Sequence, residues 1–118
     1  MTDLEGFVRM LVEECWSDAA GVVRMGGYTA PDYVHHTPNG DWTFEQFKAG
    51  MAWVDTVFAE RRYRAQHIVV GQDLVAAFVL WTATRVVDGT PRVGRGAYHG
   101  RVTHGLLRED WDVFVPIS

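Results

Sequence analysis

The stretch RVTHGLLREDWDVFV, residues 101–115, decides how this chain folds. Two β-prone runs flank it, and a two-residue turn at His104 and Gly105 closes them as an antiparallel hairpin. The second run carries Asp110 and Asp112 on one alternation and Trp111 on the other. An unpaired buried charge is among the costliest things a fold can contain, so these carboxylates belong either to water or to a site that uses them.

With Thr103 facing Leu106, regular pairing sets Val102 opposite Leu107, Arg101 opposite Arg108, His99 opposite Asp110 and Ala97 opposite Asp112. Directly opposed residues share a face. One face is therefore expected to collect His99, Asp110, Asp112 and two arginines, and the other Tyr98, Trp111, Val102 and Leu107. A bulge in either strand would exchange these sets. If the polar face lines a pocket, desolvation and the neighbouring carboxylate raise the proton affinity of one Asp, with His99 keeping the other charged. Such a group can take a proton from carbon beside a carbonyl and return one to a forming alkoxide. If the face is solvated, the same charges only protect a sheet edge.

Upstream, AQHIVV (65–70), a GQD turn and LVAAFVLWTATRVV (74–87) read as further strands. The last run is apolar on both alternations, the pattern of a central strand covered on both faces. Earlier still the period changes to helical. Leu4, Phe7, Val8, Leu11, Val12 and Cys15 form one stripe, behind a capping box of Thr2 and Glu5. Ser17 or Asp18 caps a second helix that Gly26 and Gly27 end. A third starts at a capping box of Thr43 and Gln46, with Trp42 and Phe47 as its staple. Between them YTAPDYVHHTPNGDW (28–42) is broken by Pro31, Pro38, Asn39 and Gly40, and reads as a loop. Arg61, Arg62 and Arg64 fall where they would complement a helix C-terminus. Helices followed by antiparallel strands make an α+β arrangement.

The chain of 118 residues suits a single domain over 1–118. Its net charge of −4 offers no basic stripe for nucleic acid. The single Cys15 excludes a disulfide framework and a cysteine-rich metal site, and its place on the apolar stripe predicts a buried thiol. His35 and His36 have no third ligand at a metal-site spacing, so no metal is expected. No run is long and apolar enough for a membrane span, and a cytoplasmic protein is the default expectation. His67 and His104 read as structural or exposed. Trp42, Trp53 and Trp81 suit either a cavity for a planar ligand or a core or dimer contact.

DYVHHTP (32–38) and RVTHGLLREDWDV (101–113) together resemble the SnoaL-like polyketide cyclases, a branch of the nuclear-transport-factor-like cone fold. The first stretch looks like that family's DYVxHxP loop and the second like its final hairpin, RVxxGxLxExWDV. The likeness covers nearly the whole chain. It implies N-terminal helices packed on a curved antiparallel sheet, a conical half-barrel with a deep pocket, often in a homodimer. It also implies a cofactor-independent cyclase or isomerase that closes a ring in a hydrophobic, carbonyl-bearing, polyketide-like substrate. The acid/base Asp of that group corresponds to Asp112, and Asp110 stands where the group usually has His. The catalytic residues expected are therefore Asp112, Asp110 and His99. His36, at the place of the motif's His, would contact substrate together with Tyr33, Trp42, Trp53, Trp81 and Arg101. Two alternatives remain open: epoxide hydrolysis through an Asp, Arg, Asp relay using Arg101, and a binding or dimerisation module without chemistry.

Overall fold

Asp3 opens the first helix by accepting a hydrogen bond from the Gly6 amide at 3.0 Å. The structure, a computed structural model, describes residues 3–116, so the expected cap at Thr2 lies outside the described residues. Helix α1 (Leu4–Arg9) runs into a wider π-helical turn, Met10–Cys15, which Trp16 closes by bonding the Leu11 carbonyl. The extra residue in that turn keeps Val8, Leu11, Val12 and Cys15 all in the core. Burial pushes the Cys15 thiol up, as for an inert core residue. Asp18 caps α2 (Ala19–Met25), and the capping box of Thr43 and Gln46 opens α3 (Phe44–Val57).

The segment expected to be a loop is a strand. Its residues form β1 (Thr29–Thr37), which turns through Pro38 and Asn39 into the short β2 (Gly40–Trp42). The remaining strands are β3 (Phe58–Val70), β4 (Leu74–Arg85), β5 (Pro91–Thr103) and β6 (Leu106–Pro116). They form one open six-stranded sheet in the order β2-β1-β6-β5-β4-β3. The sheet is mixed rather than wholly antiparallel, because β1 lies parallel to β6. Pro31 sits in the register shift between Thr29 and Val34, where a missing amide costs no ladder bond.

The helices cover one face of the sheet, and the core lies between them. The arginine cluster is on β3, not at a helix end: Arg61 and Tyr63 point inward while Arg62 and Arg64 are exposed. The opposite face is bare. Phe78 of β4 is 59% exposed, so the strand that reads as covered on both faces is covered on only one within this chain.

The final hairpin turns at His104 and Gly105, both with positive φ, and keeps Thr103 opposite Leu106 and Val102 opposite Leu107. A bulge then intervenes. Arg101 pairs with Glu109, so Gly100 faces Asp110, His99 faces Trp111 and Tyr98 faces Asp112. The extra residue is Arg108, whose Nε donates to the Thr103 hydroxyl at 2.8 Å. It swings Asp110 and Asp112 onto the core face with Tyr98, Val102 and Leu107, and turns Trp111 outward.

Candidate active site

Asp110 is buried at 1% exposure and three groups donate to it. The Tyr33 hydroxyl lies 2.7 Å from Oδ1, His35 Nδ1 lies 2.6 Å from the same oxygen, and the Tyr98 hydroxyl lies 2.9 Å from Oδ2. This is the satisfaction a buried carboxylate requires, since each charge-assisted bond replaces water that burial removed. Burial and the Asp110 charge push both tyrosine hydroxyls well above their ordinary range, so both remain protonated donors. Asp110 is therefore fixed and saturated, and serves to hold its neighbours.

His35 reaches Asp110 because β1 is a strand. Alternation turns Tyr33 and His35 inward and His36 outward. Bonding Asp110 through Nδ1 leaves Nε2 facing Asp112 Oδ2 at 3.5 Å, too far for a close hydrogen bond. Burial would lower the His35 pKa, but the Asp110 bond and the charges of both aspartates outweigh it and raise the pKa.

Asp112 borders the cavity and has no comparable set of donors. Burial pushes its carboxyl up to about 6, with His35 pulling it down and Asp110 adding to the rise. The cavity above it measures about 350 Å³ and is bordered by Asp112, His35, Trp16, Tyr63 and Phe114. Trp42, Phe47, Trp53, Trp81 and Arg61 complete much of its wall. Glycines make room for these rings. A Cβ on Gly50 would come 2.9 Å from the Trp42 ring, and one on Gly94 would collide with the Trp81 indole.

The structure thus brings together Asp112, Asp110, Tyr33, Trp42, Trp53 and Trp81 of the expected site, and separates three others from it. His99 is on the outer face, stacked on Trp111 at 5.0 Å between centroids. His36 stacks on the other side of Trp111 at 4.8 Å and bonds Glu109 and Asp41, each at 2.8 Å. Arg101 is also outward, its Nε donating to Glu109 at 2.9 Å. The Arg108 bulge carries His99 and Arg101 to the outer face, and strand alternation in β1 turns His36, the residue at the motif's His, outward and His35 inward. Arg101, the arginine expected in a water-activating relay, lies on the far side of the sheet, and the arginine on the cavity wall is Arg61.

His35 and Arg61, both on the cavity wall, stand outside the expected set of site residues. His35 is legible once DYVHHT is read at period two, because Tyr33, His35 and Thr37 then share a face. Arg61 is almost fully buried, paired with Asp55, and donates to the Tyr63 hydroxyl at 3.2 Å. Its signal was the alternation of Arg61, Tyr63 and Ala65, hidden by the charges around it.

No helix among the described residues is long and apolar enough to cross a membrane. No curated protein matches the chain in sequence. Solved structures match it in fold. IdmH, a candidate polyketide cyclase from Streptomyces antibioticus, superposes with a TM-score of 0.86 at 19% identity, covering 96% of this chain and 92% of that one. A candidate SnoaL-like polyketide cyclase from Jannaschia sp. CCS1 gives 0.80 at 16% identity, over 94% and 83% of the two chains. AclR, a candidate hydroxylase from Streptomyces galilaeus, gives 0.76 at 20% identity, over 92% and 71%. The family model described as the SnoaL-like domain matches residues 7–110, most of the chain, and the protein belongs to that family.

Proposed function

We propose that this protein is a cyclase-type enzyme that moves protons on a small, hydrophobic, carbonyl-bearing substrate, with Asp112 as the group that takes the proton from carbon. The observation that carries this reading is the reach of the apolar cavity down to a carboxyl pushed up to about 6, beside a carboxylate already saturated by three donors. A base of that strength is mostly ionised at neutral pH and still basic enough for general catalysis. In a ring closure of the aldol kind, Asp112 removes the proton next to one carbonyl. The carbanion attacks a second carbonyl of the same molecule, and the resulting alkoxide takes up a proton. One C–H bond and the π bond of the attacked carbonyl break, one C–C and one O–H bond form, and no electrons leave the substrate. The aromatic wall of Trp42, Trp81 and Phe114 favours a flat ligand.

We also propose that two copies pair through the bare sheet face. Phe78, Ala97 and Val113 are register partners in one cross-strand row, and Phe78 and Val113 are exposed. A second copy supplies the cover that the double apolar alternation of β4 calls for. A hollow of about 650 Å³ on that face is bordered by Phe78, Ala97, Val113 and Val115 and holds none of the site carboxylates.

The proton-transfer reading is tested with 2-tetralone, a flat ketone, in D₂O. The protein is expected to exchange its α-hydrogens for deuterium above the buffer rate, followed by proton NMR, and Asp112→Asn is expected to abolish this. Exchange at the buffer rate, or undiminished exchange by the variant, overturns it.

A further inference from the structure

Asp112 accounts for one proton in a ring closure that has two to place: one leaves carbon, and one must reach the oxygen on which charge develops. The cavity border holds a second titratable group suited to that task. His35 is buried, and its Nδ1 is committed to Asp110 at 2.6 Å. That bond fixes the ring orientation, so Nε2 is aimed at Asp112 Oδ2 across 3.5 Å. A contact that long leaves Nε2–H open to a closer acceptor that enters the cavity beside Asp112.

We propose that His35 is the acid partner of Asp112, its Nε2–H protonating the substrate oxygen while Asp112 takes the proton from carbon. This rests on the proton-transfer reading above and divides between two residues what a single carboxyl would otherwise do in turn. The C–H electron pair becomes the new C–C bond, the π pair of the attacked carbonyl moves to its oxygen, and the Nε2–H bond breaks as the O–H bond forms. Asp112 then holds a proton and His35 is neutral. Transfer from Oδ2 back to Nε2 across their contact restores the pair.

The surroundings favour the required charges. Asp110 and Asp112 face His35 from β6, Tyr33 neighbours it on β1, and the Tyr98 hydroxyl from β5 bonds the same Asp110 carboxyl. Trp42 from β2 and Phe47 from α3 close the remaining sides with rings rather than charges. Arg61 on β3, the other cation on the cavity wall, is paired with Asp55. His36 is adjacent in sequence but outward, engaged with Glu109 and Asp41. Two aspartates against one imidazole keep it charged, which agrees with its raised pKa.

The test uses 2-tetralone exchange and NMR of the imidazole. His35→Gln is expected to slow exchange by 10²-fold or more with KM little changed, a typical share for general acid catalysis. The loss of rate at high pH, set in the parent by deprotonation of His35, is expected to disappear while the loss at low pH remains. In the ¹⁵N-labelled parent both ring nitrogens of His35 are expected to carry protons at pH 7, and Asp110→Asn should shift that titration downward. If Asp112→Asn is inactive but His35→Gln keeps the parental rate and profile, His35 is not the acid and the role of Asp112 stands. An Nε2 without a proton at pH 7 in the parent overturns the proposal, whatever the fate of the variants.

Discussion

Tyr98 on β5 lies directly opposite Asp112 on β6, a pairing that exists only because Arg108 is an extra residue in the ladder. Regular pairing from the same turn would have set Ala97 there and turned both site aspartates toward the outer face. The count of residues between turn and site, rather than the identity of residue 108, therefore places the carboxylates. Deleting Arg108 is expected to destabilise the fold by about 3 kcal/mol or more, because register and three donors to a buried carboxylate cannot both be kept. Arg108→Ala, which keeps the count, should cost under about 1 kcal/mol. Urea unfolding of the two variants checks this, and equal losses would assign the effect to the side chain.

Asp112 makes stability depend on pH in the sense opposite to an ion-paired carboxylate. Its pKa rises from 3.8 to about 6 on folding, so the native state holds the proton more tightly than the unfolded chain. Stability is then greatest below the unfolded value and falls as pH rises through about 6. The penalty at neutral pH is about 3 kcal/mol, given 1.36 kcal/mol per pKa unit. Asp112→Asn is expected to raise Tm at pH 7.5, with the gain vanishing near pH 4. Thermal melts across that range decide it, and a gain independent of pH would show that the charge is not its source.

Gly94 lets the Trp81 indole lie flat across β5, and a methyl group there would collide with the ring. Gly94→Ala is expected to tip Trp81 into the cavity and weaken 2-tetralone binding about tenfold or more while the protein remains folded. Quenching of tryptophan fluorescence by titrated ketone, alongside a circular dichroism spectrum, measures both. Unchanged affinity would remove Trp81 from the ligand wall.

Phe78 and Val113 stand in one apolar row on the bare face of the sheet. Val113→Lys should turn a dimer into a monomer, because a charge buried in an apolar contact without a partner costs several kcal/mol. Analytical ultracentrifugation of the variant and parent is the measurement. A parent sedimenting as a monomer at every concentration would refute the pairing.

The features legible before folding rest on local chemistry. The capping box of Thr43 and Gln46 fixed the start of α3, and the His104–Gly105 turn fixed the last hairpin. The DYVHHTP and RVTHGLLREDWDV stretches pointed to the SnoaL-like family. The acidic pair of β6 and the tryptophans of the cavity were visible as candidates, because residue type and period are properties of a short segment. The tertiary structure alone decided which faces meet. Parallel pairing with β6 turned a proline-broken segment into β1 and sent His35 inward in place of His36. The bulge at Arg108 sent His99 and Arg101 to the far side. A side chain's face has period two along a strand, so one added residue reverses it, and whether a residue is added depends on contacts between strands that no short stretch of sequence contains.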